Sequence, residues 1–307
     1  MKYLLVLVLG VVIGAGVVCW WPKKQIVEKP KEYPLLKYTI ENLGKREYDS
    51  QIILDDEVEE GVYKFHFDSD GKNVTGLAHI PEGCGRCPVI AQFRGYAEVG
   101  GYESGYGTRH SAEAFAKAGF ISLAPDFLGY GESASPSANI FEARFETYTT
   151  ALNLLSGIEK WEKTKSIGVW GHSNGGQIAL TVLEISQKEY PTVVWASVSA
   201  PFPYSILYYT DDGDKLLRRE LAKFEEDYDA DLFSLTNYLD RITAPVLVQQ
   251  GSADESVPQK WSDNLYKKIQ DSRSNIQYVV YPGADHNLMP SWSEAVKKDI
   301  EFFEENL

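Results

Sequence analysis

The sequence predicts an α/β fold: a mostly parallel sheet with helices on both faces, an N-terminal β-hairpin and a short lid insertion. Three patterns point to it. After Pro88 short uninterrupted apolar runs recur, at Val89–Phe93, Phe120–Ala124, Ile167–Trp170, Val193–Val198, Val246–Gln249 and Ile276–Tyr281. Runs of that length suit strands buried on both faces. Stretches with helical spacing separate them, at about 108–118, 140–160, 175–188, 258–270 and 291–304, and strand–helix alternation builds parallel sheets. Ahead of these, Val62–Phe67 alternates, Ser69-Asp70-Gly71-Lys72 offers a tight turn, and Val74–Ile80 returns. An Asp-Gly between alternating runs signals a hairpin. His66 and His79 fall in that hairpin and read as sheet residues.

Composition bounds what such a domain can do. The chain has 307 residues, 44% hydrophobic and 24% charged, which excludes a disordered or fibrous protein. Its formal charge is −14. Residues 1–31 hold five lysines and one glutamate, a net +4, so the remainder carries −18. Phosphate contacts need a basic face, and nucleic acid is excluded as a partner.

The first 21 residues are a transmembrane anchor or a signal segment. Nineteen uncharged residues, Tyr3–Trp21, match a hydrocarbon core, and Trp20, Trp21, Lys23 and Lys24 suit the headgroup region. A cleaved signal peptide is the competing reading, although no small-x-small site follows the apolar run. The expected arrangement is a membrane-anchored, extracytoplasmic domain, secreted if the segment is cleaved. Residues 22–45 mix Pro, Lys and Glu and read as a linker, leaving 46–307 as the catalytic domain. Within it, about 201–241 separates two strands by some forty residues rich in Tyr, Phe and acidic groups, the length of a lid or substrate wall. Its run Glu225, Glu226, Asp227, Asp229, Asp231 reads as a solvated helix face. Cys84 and Cys87 sit in a Gly/Pro turn; they are a local disulfide or two idle thiols, and zinc would need a second pair.

The chemistry concentrates after three strands. Ile167–Trp170 runs into Gly171-His172-Ser173-Asn174-Gly175-Gly176 and then a helical start, so Gly-x-Ser-x-Gly stands in a strand–turn–helix context. Such a turn strains the serine backbone and presents its hydroxyl at a helix N-terminus. A serine hydroxyl needs a base, and the base an orienting carboxylate. Strand Val246–Gln249 ends towards Asp254, and strand Ile276–Tyr281 ends towards His286. Ser173, Asp254 and His286 are the expected catalytic residues, with Asp254 preferred to Glu255 because it comes first in the turn. For the oxyanion, one N–H is expected from Asn174 and the other from Tyr96, in the Arg94-Gly95-Tyr96 turn after the first parallel strand. Tyr96 could also donate through its phenol. Asp126 reads as a turn residue bonding loop backbone, and His172 and His110 as structural or pocket-edge histidines. No metal or cofactor is required by this chemistry.

These motifs resemble the α/β-hydrolase fold, and within it the catalytic domain of the prolyl oligopeptidase family of serine peptidases. The likeness rests on Ser69-Asp70-Gly71-Lys72, Arg94-Gly95-Tyr96, Asp126…Gly129-Tyr130-Gly131, Gly-His-Ser-Asn-Gly-Gly, Gly251–Pro258 and Tyr281–His286. It implies Ser173, Asp254 and His286 as the triad, Tyr96 at the oxyanion position, and short peptides or aminoacyl amides as substrates. Family members usually carry a β-propeller before this domain. Only about sixty residues precede it here, so gating by a propeller is not expected. The domain also resembles dienelactone-hydrolase-like and acyl esterases, which keeps a carboxylesterase as the alternative, and a non-catalytic binding module as a third reading.

Overall fold

The structure is a computed structural model that describes residues 31–210, 213, 215–271 and 275–307. The apolar segment 1–21 lies outside the described residues. Among the described residues no helix is long and apolar enough to cross a membrane.

In the unit Pro34–Leu307, a 3-10 turn at Pro34–Tyr38 leads into helix α1 (Ile40–Gly44) and strands β1 (Ile53–Glu59), β2 (Val62–Ser69), β3 (Lys72–His79) and β4 (Cys87–Phe93). Then come α2 (Arg109–Lys117), β5 (Ile121–Pro125), α3 (Ile140–Lys160), β6 (Thr164–His172), α4 (Asn174–Ser186) and β7 (Thr192–Trp195). After α5 (Tyr204–Tyr208) and α6 (Lys215–Asp227), the chain closes with β8 (Val246–Gly251), α7 (Gln259–Gln270), β9 (Ile276–Tyr281) and α8 (Trp292–Asn306).

The described strands form one sheet in the order β1-β2-β3-β5-β4-β6-β7-β8-β9. The first three, with β5, pair antiparallel; from β5 through β4 to β9 every pair is parallel. Continuous apolar runs become two-sided strands because successive side chains face opposite layers. Val89, Ala91 and Phe93 join the core under α3, α4 and α7, whereas Ile90 joins Trp170, Val193, Trp195 and Leu247 under α2 and α8. The chain leaves β4 towards β5 on one side and towards β6 on the other. That reversal opens a crevice beyond the carboxyl ends of β4 and β6, where ligands bind in such sheets.

The structure departs from the expected linker over part of its length. Of residues 22–45, Pro34–Gly44 pack onto the domain: Leu35, Tyr38, Ile40 and Leu43 are buried, and Thr39 caps α1 by accepting from the Asn42 N–H at 3.2 Å. Four buried apolar residues suffice, because their spacing puts them on one side of a short helical segment. Strand β1 was also not anticipated from the sequence. It is an exposed edge strand, Ile-Leu-Asp-Asp-Glu-Val-Glu, whose charges suppress apolar alternation and guard the edge against pairing with another chain. The insertion is helical, with Glu225 and Glu226 exposed and Leu221 and Phe224 buried, a solvated acidic face over an apolar one. Strand β7 ends at Trp195, earlier than Val198, because Ala196 takes a φ of 45° and turns the chain out of the sheet. Cys84 and Cys87 are joined as a disulfide.

If α1 belongs to the domain, emptying its core position should cost as much as any core truncation. Leu43→Ala is expected to lower stability by about 2–5 kcal/mol, read by urea unfolding of the full chain. A change within about 0.5 kcal/mol would mark the segment as a linker.

Candidate active site

Ser173 stands between β6 and α4 with φ 57° and ψ −118°, a conformation that a non-glycine residue adopts only under constraint. Its neighbours show why the turn demands glycine. A Cβ on Gly175 would lie 1.9 Å from the Phe93 carbonyl oxygen, and one on Gly171 would lie 2.4 Å from that of Gly175. The serine backbone is held from the adjoining strand: its N–H donates to Trp195 O at 2.8 Å, and its carbonyl accepts from Val198 N–H at 3.1 Å. The side chain makes no capping bond to the helix, and Ser173 lines a cleft of about 1490 Å³ that also contains Asn174, Tyr96 and His286.

Asp254 follows β8 and is enclosed to the last atom of its side chain. Oδ1 accepts from the Ser256 and Val257 N–H groups, both at 2.8 Å; Oδ2 accepts from Gln250 Nε2 at 3.0 Å and faces His286 Nδ1 at 2.9 Å. Burial pushes its pKa up, but the His286 bond and the two backbone donors outweigh burial and hold the carboxyl below its ordinary range. Glu255 points to solvent. Gln250 is itself oriented by Ser262, whose hydroxyl donates to Gln250 Oε1 at 2.8 Å. Two amides ending a buried apolar strand were the sequence signal for this support: buried amides require partners.

His286, in the turn after β9, thus presents Nδ1 to the carboxylate and its other ring edge to the cleft. A second histidine backs it. His172 Nε2 donates to the His286 carbonyl at 2.9 Å, and the two rings lie 4.7 Å apart. A carbonyl only accepts, so Nε2 carries the His172 proton. Burial, and next the charge on His286, push the His172 pKa down to about 4. His172 is therefore neutral at pH 7 and pins the loop that carries His286, a role its place in the motif did not disclose.

Asn174 opens α4, so its N–H has no carbonyl one turn earlier to bond. The Tyr96 turn runs beside it: a Cβ on Gly95 would sit 3.1 Å from Ser173 Cβ. The Tyr96 phenol, however, is turned outward and donates to Glu98 at 2.9 Å. Behind this turn, the Arg94 guanidinium lies 4.8 Å from the Tyr102 ring and 4.0 Å from the Tyr130 ring and donates to the carbonyls of Gly95 and Asp126. The Asp126 carboxylate is buried and bonded by the hydroxyls of Thr75, Tyr102 and Ser104 at 2.6, 2.9 and 2.8 Å. It binds side chains rather than loop backbone, because β3 and the 102–104 turn bring three hydroxyls to it. His110 lies at the cleft edge, its ring 6.5 Å from that of Trp292. No cluster of metal-ligating side chains occurs among the described residues.

A parallel sheet with its serine on a strained strand–helix elbow, and an acid and a histidine after later strands, defines an α/β hydrolase. The profile of the prolyl oligopeptidase family matches residues 106–307, and the chain belongs to that family, a family of serine hydrolases. It is 22% identical over 218 residues to human protein ABHD12B, a match covering 66% of this chain and 56% of that protein, so the chain spans about half the length of this curated relative. An acetyl xylan esterase from Paenibacillus sp. R4 shares the fold with a TM-score of 0.64 at 19% identity, over 84% of this chain and 90% of the esterase. So does a puromycin-hydrolyzing peptidase from Mycobacterium tuberculosis, with a TM-score of 0.64 at 17% identity over 82% of this chain and 40% of that one.

The neutral His172 carries a consequence for pH. Its pKa is about 4 when folded and about 6.5 when unfolded, so between those values the unfolded chain binds a proton that the folded chain does not. Stability therefore falls as pH drops from about 6.5 to about 4, at up to about 1.4 kcal/mol per pH unit from this group. His172→Phe lacks the group. Urea unfolding at pH 7 and pH 5 should show a larger loss for the wild type than for the variant, and equal losses would contradict the assignment.

Proposed function

We propose that the chain hydrolyses short peptides or aminoacyl amides through an acyl-enzyme on Ser173. The observation that carries this reading is the 2.9 Å bond between His286 Nδ1 and the enclosed Asp254 carboxylate, in the same cleft as a serine held at positive φ. In this mechanism Ser173 Oγ attacks the substrate carbonyl while His286 Nε2 takes its proton, and Asp254 stabilises the imidazolium that results. The N–H groups of Asn174 and Tyr96 receive the oxyanion. His286 then returns the proton to the departing amine, and water, deprotonated by the same imidazole, releases the acyl group.

Carboxylester hydrolysis is the second reading, and one observation favours it. With the Tyr96 phenol bonded to Glu98, the oxyanion is left with two backbone donors, and an alkoxide leaves with less assistance than an amine. The apolar segment 1–21 supports anchoring of the domain to a membrane, and the Cys84–Cys87 disulfide supports an oxidising, extracytoplasmic compartment.

The discriminating measurement is kcat/KM for an ester and an anilide of one aminoacyl group, with Ser173→Ala as the blank. Comparable values for both are expected. Ester cleavage without anilide cleavage would establish the esterase reading. Ser173→Ala should lower turnover at least 10³-fold while leaving the unfolding midpoint within a few degrees; retention of more than a few percent of activity would end the assignment of the nucleophile.

A further inference from the structure

Three arginines line the cleft, and two of them are engaged elsewhere. Arg109 pairs with Glu59 and Glu113, and Arg94 is held between tyrosine rings behind the oxyanion turn. Arg144 differs. Among the described residues it meets no carboxylate. Its Nη2 donates to Gln177 Oε1 at 2.8 Å, Gln177 donates in turn to the Tyr148 hydroxyl at 3.3 Å, and the Arg144 Nε is enclosed without a hydrogen-bond partner. A guanidinium keeps its charge at every physiological pH. It lines the cleft, and a guanidinium there with no carboxylate against it among the described residues is a group that an incoming anion would complete.

Its position puts it in one cleft with Ser173. Arg144 stands in the first turns of α3, and Gln177 lies on α4 one turn beyond Ser173. Phe202 packs on Phe141 and Phe145, with ring centroids 6.4 and 5.8 Å away, which brings α5 down to the same end of the cleft. There Ser205 is 1% exposed and its hydroxyl has no partner, although the residue lines the cleft. His286, Met289 and Trp292 line the same cleft. Ser173 lines it as well, so a substrate that acylates the serine has its remaining groups in the one cleft that holds Arg144 and Ser205.

We propose that Arg144, assisted by Ser205, receives a carboxylate carried on the acyl part of the substrate, which makes carboxylate-bearing acyl groups the preferred class. The inference rests on the acyl-enzyme reading above for its kinetic consequences, but not for the binding of the anion itself.

The test uses the full chain and two alkyl esters of matched length, ethyl hydrogen glutarate and ethyl pentanoate, followed by proton release. Wild type should show at least a tenfold higher kcat/KM for the half-ester. Arg144→Gln should lower that value at least ten times more than it lowers the pentanoate value, and Arg144→Lys, which restores charge without the planar fork, should recover part of it. Glutarate alone should raise the Tm of the wild type and of Ser173→Ala, but not that of Arg144→Gln. Equal kcat/KM on the two esters, or proportionate losses on both in Arg144→Gln, would overturn the proposal. Turnover of neither ester would remove the acyl-enzyme reading instead. In that case a glutarate shift lost in Arg144→Gln would still support the anion site, and no shift would refute it.

Discussion

The arrangement of the site depends on how close the backbone of the serine elbow passes to strand β4. At Gly175 the room left is so small that one methyl group would overlap the Phe93 carbonyl oxygen at 1.9 Å. That approach lets α4 begin directly over the carboxyl end of the sheet, which places the Asn174 N–H beside the Tyr96 turn and lifts Ser173 out of the sheet plane. The cost is a serine at φ 57°, on the order of 1–3 kcal/mol for such a conformation. It is offset by hydrogen bonds from the neighbouring strand: Trp195 accepts from the serine N–H and Val198 donates to its carbonyl. The early end of β7 belongs to the same bargain, since only by leaving the sheet at Ala196 can the chain turn Val198 back towards Ser173.

Asp254 and His286, the proposed acid and base, are held by different means. Asp254 has no exposed side-chain atom, yet every oxygen has donors, so its charge is solvated by fixed groups instead of water. His286 has to remain mobile in its protonation while its ring stays in place. The carboxylate fixes one nitrogen, and His172, kept neutral by burial, fixes the backbone of the same residue without placing a second permanent charge beside it. A lysine or arginine at 172 would hold the loop equally well but would disfavour the imidazolium on which the proposed mechanism relies.

Much of this was legible in the sequence, and the exceptions share a cause. The parallel strands declared themselves by short apolar runs, because burial on both faces leaves few polar positions to confuse the pattern; β9, at the edge, exposes Gln277. Ser173, Asp254 and His286, the proposed catalytic residues, stood out because each lies at or within five residues of the end of such a strand. What escaped was set by tertiary partners. Residues 34–44 form only a short 3-10 turn and a five-residue helix behind a charged stretch, and β1 carries almost no inward residue, so neither has a pattern long enough to stand out. Asp126 looked like a turn residue because its three hydroxyl partners lie 22 to 51 residues away in sequence. Arg144 sits near the start of a long, largely buried helix, and nothing local distinguishes a cation facing a cleft from one facing water.

The Tyr96 turn, proposed to hold the oxyanion, shows how far such distant partners set the geometry. Tyr96 is 72% exposed and its phenol is bonded outward to Glu98, so the side chain does little to fix the N–H that the mechanism needs. That task falls to residues on either side. Arg94 clamps the Gly95 carbonyl from beneath, the Tyr130 hydroxyl donates to the Ala97 carbonyl at 2.8 Å, and the stack of Tyr102 and Tyr130 on the guanidinium holds both. The Asp126 carboxylate anchors Tyr102 in turn. A donor aimed in advance stabilises a developing charge without reorganising when the charge appears. An exposed tyrosine on a turn would not be rigid by itself; the buried arginine and its two rings supply the stiffness, while the phenol is bonded outward to Glu98.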